Sequence, residues 1–151
     1  MKTHRGLLFK IVRSYAREAM DYDDLFQEIA IQVWRSIPAF RNESAVTTWI
    51  YRIGINTAIK WSKRERKEQD MRSLNPVEAI IFEKSSESDD RLDWLYEQIK
   101  TLDEIDRSIA LLMLDGLSYR EMAAILGITE SNVGVKINRI KKQLITNAKL
   151  L

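Results

Sequence analysis

The sequence contains no cysteine, and it has only one histidine, five glycines and two prolines among its 151 residues. Without cysteine, the chain cannot form a disulfide or a thiolate metal site, and a single histidine, His4, excludes most histidine-based metal centres and catalysis. The low glycine and proline content favours long helices over strands and tight turns. We therefore expect no metal, no cofactor, no small-molecule substrate and no enzymatic activity.

Long apolar runs are also missing. No run approaches the roughly 20 residues that a membrane-spanning helix needs, and the first residues lack the apolar core of a signal peptide. A cytoplasmic protein is therefore expected. The net charge of +2 is too small to indicate a nucleic-acid partner by itself, so the distribution of the charges carries the information.

The charges are distributed unevenly along the chain. Basic residues dominate positions 60–72, acidic residues dominate positions 78–90, and no acidic residue follows Glu130. Two basic stretches separated by an acidic one indicate two modules that both contact a polyanion. The alternative for each stretch is a solvated helix face.

Apolar residues recur at helical spacing on both sides of the acidic stretch. The pattern predicts an all-α protein with two small helical domains, residues 1–68 and 91–151, joined by a flexible acidic linker over residues 69–90. In the first domain, Leu25, Ile29 and Val33 form an apolar stripe in a helix that Asp21 caps and Pro38 ends.

The stretch "SYREMAAILGITESNVGVKI", residues 118–137, has the pattern of a helix–turn–helix. Ser118 and Glu121 predict a capping box at the first helix, Gly127 predicts a turn residue with positive φ, and Thr129 predicts the next N-cap. A small residue, Ala123, precedes the turn, as such a motif requires. The alternative is an ordinary helical hairpin without a DNA-binding role.

The polar side chains of the second helix of this motif are candidates for reading DNA, because such a helix presents its N-terminal half to base edges. The face opposite its apolar stripe carries amide, hydroxyl and basic groups, and its C-terminal half is free of acids. The predicted DNA-binding residues are Ser131, Asn132, Lys136, Arg139 and Lys141.

A second candidate surface lies in the first domain. An aromatic residue and a series of amide and basic residues recur at steps of three and four, so they share one helix face: Trp49, Arg52, Asn56, Lys60 and Lys63. Aromatic rings stack on unpaired bases and cations contact phosphates, so this face is typical of a site for opened nucleic acid. The alternative is that Trp49 belongs to the core and that the polar stripe faces solvent.

Carboxylates cluster in "DYDDLFQE", where Asp21, Asp24 and Glu28 are three and four residues apart. A carboxylate metal site in a helical bundle usually includes a histidine three residues after a glutamate, and none is present here. The cluster therefore favours an acidic helix face that binds a basic partner. The alternative is a solvated first turn.

Taken in order, the motifs "DLFQE", "RNES", "TWIYRI" and "LSYREMAAILGIT" resemble those of bacterial RNA polymerase sigma factors of the extracytoplasmic-function (ECF) type, and the resemblance covers nearly the whole chain. It implies a region 2 helical bundle and a region 4 helix–turn–helix. It also implies a factor that binds core RNA polymerase, recognises the −10 and −35 elements of promoter DNA and helps to melt the −10 DNA. Members of this family are often held inactive by an anti-sigma factor, so the resemblance adds such a protein as a candidate partner, which no residue of the sequence identifies.

The resemblance also implies residue roles. Contacts with the beta-prime coiled coil of the polymerase fall on Asp24, Leu25, Gln27 and Glu28, next to Asp21. The loop that captures a flipped −10 base falls on Arg41, Asn42, Glu43 and Ser44. Strand separation falls on Trp49, Arg52 and Asn56, and −35 reading falls on Asn132, Lys136 and Arg139. The second domain contacts the beta flap.

The sequence departs from the family pattern where Val46 replaces a common aromatic residue and where Gly134 and Val135 replace Lys-Ser. Two other classes of protein remain as alternatives. One is a dimeric helix–turn–helix regulator that binds duplex DNA without polymerase, and the other is a protein-interaction module whose basic faces are only solvated. Run-off transcription with core polymerase separates these alternatives from the sigma-factor hypothesis.

Overall fold

The computed structural model describes residues 4–42, 45–72 and 90–149, with the side chains of residues 69, 70 and 72 outside the description. All regular structure in these ranges is helical, which confirms the predicted all-α class. The helices are α1 (Arg5–Tyr15), α2 (Ala19–Ser36), α3 (Val46–Arg72), α4 (Asp90–Lys100), α5 (Glu104–Leu114), α6 (Tyr119–Leu126) and α7 (Glu130–Lys149). Most of the predicted linker, residues 73–89, lies outside the described residues.

The bounds of α2 and α3 correct two predictions. Glu18, rather than Asp21, is the N-cap of α2, and Asp21 closes a capping box by accepting a hydrogen bond from the Glu18 backbone N–H at 3.2 Å. A 3₁₀ turn at Ile37–Ala39, with Pro38 inside it, ends the helix. At its other end, α3 continues past residue 68 to Arg72, into the segment that we predicted as linker.

The N-terminal module, α1 to α3, packs around an apolar core in which Ile11, Leu25 and Ile29 are fully buried. Gly54 allows α3 to approach the other two helices closely. A Cβ at this position would lie 2.7 Å from Ile11 Cδ1 and 3.5 Å from Ile29 Cγ2. The predicted apolar stripe of α2 is confirmed, because Leu25, Ile29 and Val33 are all buried. Gly54 lies where α3 closely approaches the other helices.

The C-terminal module, α4 to α7, contains the predicted helix–turn–helix. Ser118 and Glu121 form the capping box of α6, and Gly127 has a φ of +69° at its C-cap. Thr129 Oγ1 accepts a hydrogen bond from the Asn132 backbone N–H at 3.1 Å, as expected for an N-cap. Val133 is fully buried and anchors α7 against the rest of the module. The predicted capping box, the turn at Gly127 and the Thr129 cap are confirmed.

The two modules, predicted as domains joined by a linker, pack against each other through α1 and α5. Tyr15 of α1 is 1% exposed, and its hydroxyl contacts both the Glu104 carbonyl, at 3.0 Å, and the Ser108 hydroxyl of α5. The Arg107 guanidinium lies over the Tyr15 ring, 5.1 Å from its centroid. Ion pairs also join the modules: Lys10–Asp115, Arg13–Asp93 and Arg66–Glu104.

Within the described ranges, none of the helices combines the length and the apolar character that crossing a bilayer requires.

Candidate functional site

The outer face of α2 carries a continuous row of exposed side chains. They recur at steps of four, three, four and three residues, and their positions are Met20, Asp24, Gln27, Ile31 and Trp34. The apolar members are far more exposed than core residues, with Met20 at 70%, Ile31 at 49% and Trp34 at 69%. Sequence reasoning found the two polar members and missed the apolar ones, although the spacing that links all five was visible.

The other residues predicted for this surface have different environments. Leu25 is fully buried in the core and is not accessible to a partner in this conformation. This follows from its place in the apolar stripe with Ile29, one helical turn away. Asp21 is half-buried in the capping box, and Glu28 accepts hydrogen bonds from Arg64 of α3 at 2.8 and 3.1 Å. The hydrogen bond with Glu28 raises the pKa of Arg64.

The predicted basic face of α3 is largely solvent-exposed, since Asn56, Lys60 and Lys63 all lie on the surface. Trp49, at the N-terminal end of this face, is half-buried and packs against the core, and its ring centroid lies 4.8 Å from that of Phe40. Trp49 therefore combines features of both interpretations, a core residue and a nucleic-acid contact, because its ring contributes to packing and still has accessible surface.

The loop before α3 begins with exposed Arg41 and Asn42. Asn42 has a φ of +57°, a left-handed conformation that asparagine adopts more readily than most residues. Glu43 and Ser44, the other two residues predicted for base capture, lie outside the described residues.

Arg52 connects the basic face of α3 to the helix–turn–helix. Its Nη2 donates a hydrogen bond to the Ala124 carbonyl oxygen at 2.9 Å. Ala124 belongs to the last turn of α6, where carbonyls have no partner within the helix and carry the negative end of the helix dipole. One residue of the predicted −10 surface therefore caps α6 in this arrangement.

The predicted −35 residues of α7 divide into two groups. Ser131, Asn132 and Lys141 are exposed to solvent. Lys136 and Arg139 are instead directed toward Asp106 of α5, with Arg139 Nη2 2.5 Å from Oδ2 and Lys136 Nζ 3.8 Å from Oδ1. The free face of α7 also includes three exposed residues that sequence reasoning did not select: Val135, Asn138 and Lys142.

Comparison with known families accounts for both modules. The family model for sigma-70 region 2 matches residues 1–68, and the model for sigma-70 region 4 matches residues 92–144. The ECF RNA polymerase sigma-E factor of Escherichia coli (strain K12) is 30% identical over 137 residues, which cover 82% of this chain and 72% of that protein. The chain belongs to the ECF sigma factors.

Other relatives agree with this family. The RNA polymerase sigma factor YlaC of Bacillus subtilis (strain 168) is 25% identical over 162 residues, which cover 95% of this chain and 93% of that protein. ECF sigma factors are transcription regulators that act in initiation with core RNA polymerase and promoter DNA. The residues that make these contacts in this sigma factor remain predictions.

Two solved structures share the fold of this sigma factor. The sigma factor RpoE of Bartonella quintana, in complex with the anti-sigma factor NepR, has a TM-score of 0.74 at 21% identity and covers 98% of this chain and 96% of its own. CnrH, in complex with the cytosolic domain of CnrY, has a TM-score of 0.70 at 22% identity and covers 99% of this chain and 84% of its own. The similarity therefore extends over both modules.

Proposed function

We propose that this sigma factor docks on core RNA polymerase through the outer face of α2 and directs the enzyme to promoters by recognising −35 and −10 elements. We also propose that it helps to open the −10 DNA. The observation that carries the proposal is the row Met20, Asp24, Gln27, Ile31 and Trp34, which the fold leaves exposed. A factor that acts on polymerase and chromosomal DNA works in the cytoplasm.

The spacing of this row indicates the shape of its partner. Steps of four and three residues average 3.5, which is the period at which one helix packs along another in a coiled coil. Ile31 and Trp34 supply exposed apolar area of the kind that dominates binding energy at interfaces. Asp24 adds a negative charge for electrostatic complementarity. A helical, partly basic surface such as the beta-prime coiled coil meets these requirements. Leu25 contributes indirectly, because its burial in the core fixes the orientation of α2.

Opening of the −10 DNA is assigned to the N-terminal module. Melting costs about 1.4 kcal/mol for each base-pair step, and stacking of an unpaired base on an aromatic ring returns about 1–3 kcal/mol. The partly accessible ring of Trp49, together with the exposed Lys60 and Lys63 for phosphates, supports this assignment. Arg41 and Asn42 stand at the start of the loop assigned to base capture.

The −35 element is assigned to α7, which has exposed polar residues along its free face. Asn132 near its N-terminal end suits an adenine edge, and Lys141 suits a phosphate. The C-terminal module as a whole is also the part that we assign to the beta flap. Each module alone binds weakly, but joining them raises the effective concentration of the second contact once the first has formed.

The packing between the modules affects promoter binding in this proposal. Arg52 Nη2 bonds to the Ala124 carbonyl, so the guanidinium must leave α6 before it can contact −10 DNA with the same group. Binding of promoter and polymerase therefore competes with the packing of the two modules against each other. An anti-sigma factor is a further proposed partner, because one structural neighbour, the sigma factor RpoE, is in complex with the anti-sigma factor NepR.

The docking face is tested with core polymerase, a pull-down assay and run-off transcription from genomic fragments. We expect Trp34→Ala and Asp24→Lys each to weaken polymerase binding at least tenfold, as loss of a hot-spot residue does. Glu97→Lys is the charge-matched control, because Glu97 is 71% exposed on α4 of the other module. Binding that is unchanged in both α2 variants would exclude this face. If the wild type gives no promoter-dependent transcript from any genomic fragment, the sigma function is excluded.

A further inference from the structure

Asp106 is a buried acid at the start of α5, directly beside the helix assigned to −35 reading. The residue is 5% exposed, and its backbone N–H donates to the Asp103 carboxylate at 2.8 Å. Asp106 therefore lies in the first turn of a capped helix, where the backbone is well fixed. Its carboxylate has a defined position relative to α7.

The partners of this carboxylate are cations of α7. Arg139 Nη2 lies 2.5 Å from Oδ2, and Lys136 Nζ lies 3.8 Å from Oδ1, which accepts no hydrogen bond from the described residues. Burying an ionised carboxylate is costly unless cations compensate its charge, and breaking one side of such a pair is costly as well. The position of Arg139 is therefore coupled to α5, although the two residues are far apart in the sequence.

Arg139 remains available to DNA despite this ion pair. Its side chain is 55% exposed, whereas that of Lys136 is 20% exposed. A guanidinium has five N–H donors, and the contact with Asp106 occupies one terminal nitrogen. Reading a guanine requires two of the remaining donors to meet the N7 and O6 atoms together, so the plane of the group must be oriented in advance.

We propose that Asp106 is a positioning residue for promoter recognition. Its buried carboxylate orients the Arg139 guanidinium so that the free donors face a guanine edge in the −35 element. It also attracts the Lys136 ammonium group, which keeps this group from contacting the DNA phosphates. This inference rests on the proposed −35 role of α7. It assigns specificity to a residue outside the helix–turn–helix that does not itself touch DNA.

The test uses the full chain bound to core polymerase and a promoter fragment identified by run-off transcription. Each −35 base pair is replaced in turn, and the dissociation constant is measured at several salt concentrations. In the wild type, we expect replacement of one G·C pair to weaken binding about 5- to 150-fold, and Arg139→Ala to abolish that discrimination. Asp106→Asn should reduce the discrimination at the same pair to below about threefold while discrimination at the other pairs persists.

The salt dependence of DNA binding provides a second measurement, which would not change if Asp106 had a purely structural role. Asp106→Asn releases the Lys136 charge toward the DNA phosphates, so the slope of log K against log salt should become steeper by about 1. The matched control is Glu97→Gln, which removes one negative charge on α4, where the partner is Lys100 of the same helix rather than α7. It should leave both the discrimination and the salt slope unchanged.

The results distinguish failure of the positioning role of Asp106 from failure of the −35 role of α7. If no −35 replacement affects the wild type, the −35 role of α7 is wrong. If Arg139→Ala loses discrimination and folded Asp106→Asn keeps it, only the positioning role is wrong. If Asp106→Asn fails to fold, Asp106→Glu is tested instead, because it keeps the negative charge but moves the carboxylate. We expect this variant to discriminate less at the G·C pair while its salt slope is unchanged. Full discrimination by Asp106→Glu would overturn the proposal.

Discussion

The contact of Tyr15 between the two modules predicts a specific dependence of stability on alkaline pH. Burial raises the pKa of the Tyr15 hydroxyl well above its ordinary value of 10.0, while the hydrogen bond with Ser108 and the Arg107 charge oppose the shift in part. In the unfolded chain, the hydroxyl titrates near its ordinary value. The folded state therefore holds a proton that the unfolded state releases above pH 10.

The sign and size of the effect follow from proton linkage. Below pH 10 both states are protonated and the stabilisation is fully present, and it is lost as pH rises toward the pKa of the folded state. Over this window, the free energy of unfolding falls by up to about 1.4 kcal/mol for each pH unit. At pH 11 the wild type should therefore have lost about 1.4 kcal/mol through this one group.

Tyr15→Phe removes the titration together with the hydrogen bonds. At pH 8 the variant should be less stable by about 1 kcal/mol, because the contacts with the Glu104 carbonyl and the Ser108 hydroxyl are lost. Its stability should not carry the additional alkaline loss of the wild type. The two stability curves should therefore cross between about pH 10 and 11.

Urea denaturation followed by circular dichroism at pH steps from about 8 to 11 measures both curves. Other groups that titrate in this range, such as Tyr22, are common to both proteins and cancel in the difference. Tyr119→Phe is the control, because Tyr119 is exposed and its variant should follow the wild type. Parallel curves for the wild type and Tyr15→Phe would mean that water reaches this hydroxyl and that α1 and α5 do not stay packed in solution.

Three further substitutions, and a fourth in α1 as a control, test the helix–turn–helix and the contact between the modules. Gly127→Ala should lower the free energy of unfolding by about 1–2 kcal/mol, because φ is +69° at this residue. Gly6→Ala is the control: no atom lies near the added methyl group in α1, so this variant should raise the free energy of unfolding by up to about 1 kcal/mol. Thermal unfolding measures both changes. Ser118→Ala should cost about 1 kcal/mol by loss of the α6 cap, which urea denaturation measures; no change would mean that Glu121 suffices. Arg52→Ala should weaken binding of holoenzyme to a −10 fork template while binding to a −35 duplex by the same holoenzyme is retained; equal loss on both templates would contradict the assigned surface.

The local features that sequence reasoning predicted correctly share one property: they depend on residues within about one helical turn of each other. The capping box of Ser118 and Glu121 and the turn at Gly127 belong to this group, because a cap or a positive φ is decided by immediate neighbours. The error at the start of α2 is of the same scale. Asp21 suits an N-cap by its residue type, but the helix begins three residues earlier, and Asp21 occupies the N3 position of the capping box.

The candidate site was less predictable where its residues contact distant parts of the chain. Leu25 matches a family contact position, but its place in the buried stripe of α2 decides its environment. Lys136 and Arg139 were selected for DNA because they are basic, and nothing in α7 indicates that Asp106 lies beside them. The exposed apolar row with Ile31 and Trp34 was missed because exposure of an apolar residue cannot be read from its identity.

The sequence by itself determined that this chain is helical, where most helices begin and end, and that it has the two signature modules of a sigma factor. These properties follow from a 3.6-residue period and from capping chemistry, which act over a few residues. Only the tertiary structure decided that the modules pack together through Tyr15 and α5, that Arg52 caps α6, and that Asp106 lies beside Arg139. Such contacts depend on complementary surfaces formed by residues far apart in the chain, which no local pattern encodes.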